Sequence, residues 1–387
     1  MPDRTAAMIA DIQHLVRCES PSDDLVAVAR SGDAVADLGA RMLGVGAERI
    51  VIDGRTHLRW RFGTQKRVLV LGHHDTVWPV GSIRTRPAVV HEGVLHGPGS
   101  FDMKAGLVMA FHALAALSDL DGVTLLITGD EEPGSPTSRP LIEQEAIGCA
   151  AALVLEAAGP GGALKTVRKG VSRYEVHVHG RASHAGLDPE QGVNATIELS
   201  HQIQAVAALA DATCGTTVTP TTAHAGTTSN TVPAHALLNV DVRAASVAEQ
   251  QRTHEAILAL RPRDAGASVS VEGGINRPPL APESSAALFQ RAERIAARIG
   301  LAPLQKVSVG GASDGNFTAG VGTPTLDGLG AVGGGAHADD EHVVVAELPG
   351  RTRLLSELIA ELLAESAHLA VDTSSAGTIS APMADRR

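Results

Sequence analysis

An apolar run from Val68 to Leu71 ends in Gly72, His73, His74 and Asp75. Two further apolar runs end in the same manner. Leu125 to Thr128 leads into Gly129, Asp130, Glu131 and Glu132, and Leu153 to Leu155 leads into Glu156. A fourth acid, Asp102, sits in the glycine-rich stretch GPGSFDMKAG, and GGGAHADDEH adds His337 and His342. Imidazole and carboxylate donors suit Zn²⁺, with a coordination position left for water. One shared carboxylate can bridge two ions about 3.5–4 Å apart, a spacing used in hydrolases. Without a cation, so many acids in one place would be costly to bury.

Each residue also has an ordinary explanation when taken singly. A lone His-x-Asp is more often a turn, Asp102 before a helix can be an N-cap, and paired glutamates are favoured at a helix start. His73 and His74 cannot both face one side of a strand, so one of them is expected outside the cluster or at the surface. Their joint occurrence in chain order is what points to chemistry. In open α/β sheets, ligands bind beyond the carboxyl ends of the strands, and here several strands deliver acids and imidazole to such ends.

The elements that must position these residues follow from periodicity. Residues 4–17 and 33–43 read as helices. Strands over 67–72, 123–128 and 151–155 alternate with helices over 104–117 and 138–145. The strands are continuous apolar runs, as in a mostly parallel sheet buried on both faces. From Gly170 the pattern changes. Residues 172–179 (SRYEVHVH) alternate strictly, as a half-exposed strand does. A helix (192–209), two strands (216–222 and 236–243), a helix (247–260) and a strand (268–272) complete a β-α-β-β-α-β order, the ferredoxin-like arrangement. The expected organisation is α/β. A catalytic domain formed by 1–169 and 278–369 carries an inserted ferredoxin-like domain over 170–277, and 370–387 form a flexible tail.

Composition narrows the function. The net charge of −11 argues against a nucleic-acid partner, and 2% aromatic residues leave few platforms for stacking bases. No apolar run is long enough to span a bilayer, and the N-terminal stretch lacks the features of a signal peptide. Cys18, Cys149 and Cys214 are scattered and form no CxxC pair, which fits a reducing cytoplasm. The glycine-rich loops at 97–106 and 329–336 raise the alternative of a nucleotide-binding α/β protein, but neither carries a Walker lysine or a GxGxxG after a strand. A catalytically dead binding protein is a further alternative.

The motifs HHDTV, GPGSFDMKAG, TGDEEPGS, LVLEAA, GRASHAG, GTTSNTVP and GAHADDEH follow one another as in the M20 family of dinuclear zinc peptidases. Across nearly the whole chain the sequence resembles the glutamate carboxypeptidase (carboxypeptidase G) type of that family. The resemblance implies two Zn²⁺ per subunit, with Co²⁺ or Mn²⁺ as alternatives. It makes His73, Asp102, Glu132, Glu156 and His337 metal ligands, with Asp102 as the bridge. Asp75 becomes the carboxylate that orients His73, and Glu131 the general base. His184 resembles a histidine that reaches into a partner subunit's site, so a homodimer is implied. Asn230 and Arg243 resemble residues that bind the substrate's carboxylate. In GGASDGNF, Ser313 stands where carboxypeptidase G-type relatives carry threonine before the aspartate. The implied activity is hydrolysis of an amide next to a carboxylate-bearing residue, in a peptide or an N-acyl amino acid. A deacylase or dipeptidase of the same family is the alternative.

Overall fold

The computed structural model describes residues 4–375. The chain forms two compact units. One runs through Lys165 and resumes over Ser285–Val307 and from Val321; the other comprises Thr166–Ser284 and Ser308–Gly320.

The first unit is built on a six-stranded sheet. Its strands are β1 (Glu48–Ile52), β2 (Arg55–Arg61), β3 (Val68–His73), β4 (Val123–Thr128), β5 (Ala151–Val154) and the short strand Thr325–Leu326. β3 lies between β4 and β5, parallel to both, and every residue of the three is buried. The continuous apolar runs therefore mark strands covered on both faces. The helix Ala105–Leu114 is buried along its whole length, which explains why it is apolar on all sides. Its approach to the sheet depends on Gly106, where a Cβ atom would stand 2.3 Å from the carbonyl oxygen of Leu155.

Three features of this unit differ from the sequence expectation. The β1–β2 hairpin was not anticipated. It turns at Asp53 and Gly54, both at positive φ (48° and 77°), the geometry that an Asp-Gly pair favours in a two-residue hairpin. The helix expected over 33–43 begins at Leu25, where the Asp24 carboxylate accepts from the amides of Val26 and Ala27. The helix from Leu348 continues to Ser375, into the stretch expected as a tail. No glycine or proline stands between Gly350 and Gly377 to stop it. The rest of that stretch, 376–387, lies outside the described residues.

In the second unit, β6 (Gly170–His179), β7 (Thr217–Ala225), β8 (His235–Ala244) and β9 (Ser268–Arg277) form one antiparallel sheet in the order β7-β8-β6-β9. With the helices Ala195–Ala207 and Val247–Leu258, this is the ferredoxin-like arrangement read from the alternating pattern. The alternating apolar residues of β6 and β8, including Val176, Val178, Leu238 and Val240, form this unit's core. Segment 308–320 belongs to the unit through buried polar contacts. Arg277 Nη2 donates to Asp314 Oδ1 at 3.0 Å, and Asn316 Nδ2 donates to the carbonyls of Lys169 and Pro278. Among the described residues no helix is long and apolar enough to cross a membrane.

Candidate metal centre

Strand register brings the residues of the first unit together. His73 is level with Thr128 on β4, and Leu71 is level with Val154 on β5. Glu156, two residues past Val154, thereby reaches the level of His73. Asp102 arrives from the turn that precedes the helix Ala105–Leu114, and His337, at φ 61°, from the loop after Gly335.

The contacts fall into two sets that share Asp102. His73 Nε2 lies 3.3 Å from Asp102 Oδ1 and 3.6 Å from Glu156 Oε1. His337 Nε2 lies 3.4 Å from Asp102 Oδ2 and 3.2 Å from Glu132 Oε2. The two oxygens of Asp102 thus face two different imidazoles. Glu131 offers an oxygen within 4.8 Å of ligand atoms on His73 and Glu156. A tetrahedral zinc with bonds of about 2.0–2.2 Å holds its donor atoms about 3.3–3.6 Å apart, which is the spacing seen here. Moreover, His73 Nε2, Asp102 Oδ1 and Glu132 Oε1 are buried and have no hydrogen-bond partner among the described residues. Buried polar atoms normally find one, so these residues fit a pair of divalent cations.

The surroundings orient the donors. His73 Nδ1 lies 3.0 Å from the carbonyl oxygen of Asp75 and 3.4 Å from its Oδ1. That assigns the proton to Nδ1 and turns the Nε2 lone pair toward the cluster. The Asp75 carboxylate also accepts from Ser22 Oγ and from the amides of Glu131 and Glu132, so one side chain ties the His73 strand to the turn that carries both glutamates. Asp130, fully buried, accepts from Thr137 N, Thr137 Oγ1, Ser138 N and Ser138 Oγ and folds that turn. His74 turns to the opposite side, as expected for adjacent strand residues. It is buried rather than at the surface, with Nε2 3.0 Å from the carbonyl oxygen of Thr56.

Charge is tightly coupled in this cluster. Burial alone would raise the pKa of Asp75, but its contacts with His73 and Ser22 hold it down to about 2. Burial disfavours charge on His73, yet the carboxylates of Asp102, Asp75 and Glu156 lift its pKa well above the usual value. Asp102 and Glu132 push His337 up to about 10. Burial, reinforced by repulsion from Asp102, raises Glu132. Protons and divalent ions therefore compete for the same atoms, and metal binding weakens as pH falls.

The remaining sequence-predicted residues, His184, Asn230 and Arg243, lie in the second unit. Two of them meet: the Ala185 amide donates to the Asn230 carbonyl at 2.9 Å, and His184 forms a β-bridge with Thr231. His184 Nδ1 accepts from the amides of Gly186 and Leu187, both at 3.1 Å, which leaves the exposed Nε2 as the protonated donor. Arg243 is half-buried, and its Nε and Nη2 donate to the two oxygens of Asp241 at 2.7 and 3.0 Å. Another group of ligand-type side chains, Glu175, His177 and Glu272, lies on this unit's sheet, with both carboxylates exposed.

Asp130 and Glu341 carry no role in the sequence pattern, although they lie within the motifs TGDEEPGS and GAHADDEH. Glu341 is buried, and its carboxylate accepts four N–H groups. Burial raises its pKa. Neither residue presents an atom to the cluster, and pattern reading finds ligands more readily than the groups that hold them.

Comparison with known proteins bears out the family. Residues 69–361 match the model of peptidase family M20/M25/M40, and the chain belongs to that family. It is 30% identical over 379 residues to carboxypeptidase G2 of a Pseudomonas species, covering 93% of this chain and 90% of that protein. It is 28% identical to a succinyl-diaminopimelate desuccinylase of Halorhodospira halophila, covering 83% of this chain and 90% of that one. The solved structure of aminopeptidase PepT from Bacillus cereus shares the fold, with a TM-score of 0.73 and 21% identity over 93% of this chain and 99% of that one. The chain is thus a metallo-hydrolase of peptides or acyl amino acids.

If Asp102 bridges two ions, Asp102→Ala should lose both. Elemental analysis should fall from about two divalent ions per chain to near zero. Retention of two would remove the bridging assignment.

Proposed function

We propose that the chain is a dinuclear zinc hydrolase that cleaves an amide bond beside a carboxylate-bearing residue. On this reading it releases a C-terminal glutamate-like amino acid from a peptide or an N-acyl amino acid. The observation that carries the metal assignment is the shared Asp102, one oxygen 3.3 Å from His73 Nε2 and the other 3.4 Å from His337 Nε2. The similarity to carboxypeptidase G2 supports release of a C-terminal residue, which has a carboxylate next to the scissile amide. The similarity to a desuccinylase favours a second reading, an N-acyl-amino-acid deacylase.

Bound divalent ions would polarise the scissile carbonyl and bring the pKa of water toward neutrality. The chain's own groups do the rest. His73, Asp102 and Glu156 would hold one ion, and His337, Asp102 and Glu132 the other. Glu131 takes a proton from the attacking water and passes it to the departing amine, acting first as base and then as acid. The exposed Nε2–H of His184, supplied from the partner subunit, would donate to the developing oxyanion. Asn230 and Arg243 receive the substrate's carboxylate, which replaces Asp241 on the guanidinium fork as a bidentate partner.

The neighbouring glutamates separate by role. Glu131→Gln should keep its metal and lose about 10²–10⁴-fold in rate, whereas Glu132→Gln should lose metal. The opposite pattern, read by metal content and single-turnover rate, would exchange the two roles.

A substrate panel tests the specificity. N-acyl-glutamates should turn over faster than free dipeptides, and amidation of the α-carboxylate should cut kcat/KM by about tenfold or more. Arg243→Ala should erase most of that preference. Equal turnover of acid and amide by the parent enzyme would rule out carboxylate recognition.

The second unit is the proposed dimerisation domain. Its sheet leaves β7 and β9 as edge strands, and pairing between copies is one way to cover such edges. His184 would then serve the partner's site. Heterodimers of His184→Ala and Glu131→Gln, purified through different tags, should regain activity at one of their two sites. Inactivity of a confirmed heterodimer would exclude action across subunits.

A further inference from the structure

Glu341 lies on the loop that carries His337, yet its side chain points to other segments. Oε1 accepts from the amides of Phe101 and Asp102 at 2.9 and 3.0 Å. Oε2 accepts from the amide of Gly99 at 2.7 Å and from the indole Nε1 of Trp78 at 2.6 Å. Its own amide donates to the carbonyl of Ala338, and its carbonyl accepts from the amide of Gly97. The residue is 3% exposed. One side chain is therefore bonded to the Asp102 turn and to the segment that leaves β3 after His73, and it follows His337 by four residues.

Resting on the reading of this site as a metal centre, we propose that Glu341 is the positioning residue that holds Asp102 and His337 at the separation two bridged cations require. A carboxylate has about four acceptor sites, and here each oxygen takes two N–H donors. Bonds of this kind to an ionised acceptor are the stronger sort. One of them runs to the amide of Asp102, so the main chain of the bridging residue is fixed at its own nitrogen. A donor set must be held to within about 0.5 Å of its working geometry by groups that do not themselves bind the ligand. Glu341 has the reach and the connections for that role, and it presents no atom to the cluster. A buried acid is a costly means of joining two loops, and the ligand geometry it maintains accounts for its presence better than loop stability alone.

Two substitutions separate reach from charge. Glu341→Asp keeps the charge and shortens the side chain by one methylene. Glu341→Gln keeps the length and turns one accepting atom into a donor. On the purified full-length protein, the measurements are zinc affinity by chelator competition, the ligand-field spectrum of the Co²⁺-loaded form, and thermal melting of the metal-free form. Both variants should bind zinc about 10–100-fold more weakly and show a changed Co²⁺ spectrum, with activity restored in part by excess zinc. Trp78→Phe removes a single donor and should give a smaller loss of affinity, which keeps the test open if either acid replacement does not fold. Variants that melt at lower temperature but keep the parental zinc affinity and Co²⁺ spectrum would overturn the proposal and leave Glu341 a structural residue. A parent protein that took up neither ion would overturn the metal-centre reading and this inference with it.

Discussion

Carboxylates crowded at one sheet edge repel one another, lose hydration and leave polar atoms unpaired unless a cation joins them. The rest of the first unit is arranged around that constraint. Three of the cluster's polar atoms are buried without a hydrogen bond from any described residue, an arrangement that would weigh against folding in the absence of a ligand. The stability of this edge and its capacity to bind metal are therefore one property. A divalent ion that binds the folded chain stabilises it by mass action.

Around the cluster lies an outer ring of buried acids that support it from behind. Asp75 joins the end of β3 to the amides of Glu131 and Glu132, Asp130 closes the turn behind them, and Glu341 holds the Asp102 turn. All three accept backbone N–H groups. Main-chain amides are less mobile than side chains, so a carboxylate bonded to several of them transfers the rigidity of the sheet to the ligand loops. Gly106 adds to this from the helix side, because its bare Cα lets the helix after Asp102 sit against Leu155, one residue before Glu156.

Much of this was legible in the sequence, for identifiable reasons. Buried parallel strands are continuous apolar runs, so β3, β4 and β5 were readable, and ligands at strand ends inherit that clarity. The second unit was readable because half-exposed antiparallel strands alternate. The β1–β2 hairpin was missed although Asp53-Gly54 marks its turn, since the polar residues of β1 obscured its strand character. The helix over Leu25–Leu43 was read short because Ser31 and Gly32 interrupt its pattern, yet both are buried. The attachment of 308–320 to the second unit depends on Arg277, Asp314 and Asn316, residues distant in sequence whose pairing no local pattern reports. The outer ring was hidden for the same reason: Glu341 acts on Asp102 from more than two hundred residues away.

The two tryptophans occupy opposite situations. Trp60 is sealed in the core, edge-on to Phe111 with ring centroids 5.5 Å apart. Trp78 hydrogen-bonds Glu341 through its indole nitrogen and lies beneath the Arg86 guanidinium, 3.7 Å from the ring centroid. Intrinsic fluorescence thus combines one emitter insulated from events at the sheet edge with another wired to the loop of Asp102. Of the two, only Trp78 sits where a change in that loop alters the charges around an indole, so the difference between the signals is an optical readout native to the molecule, available without a label.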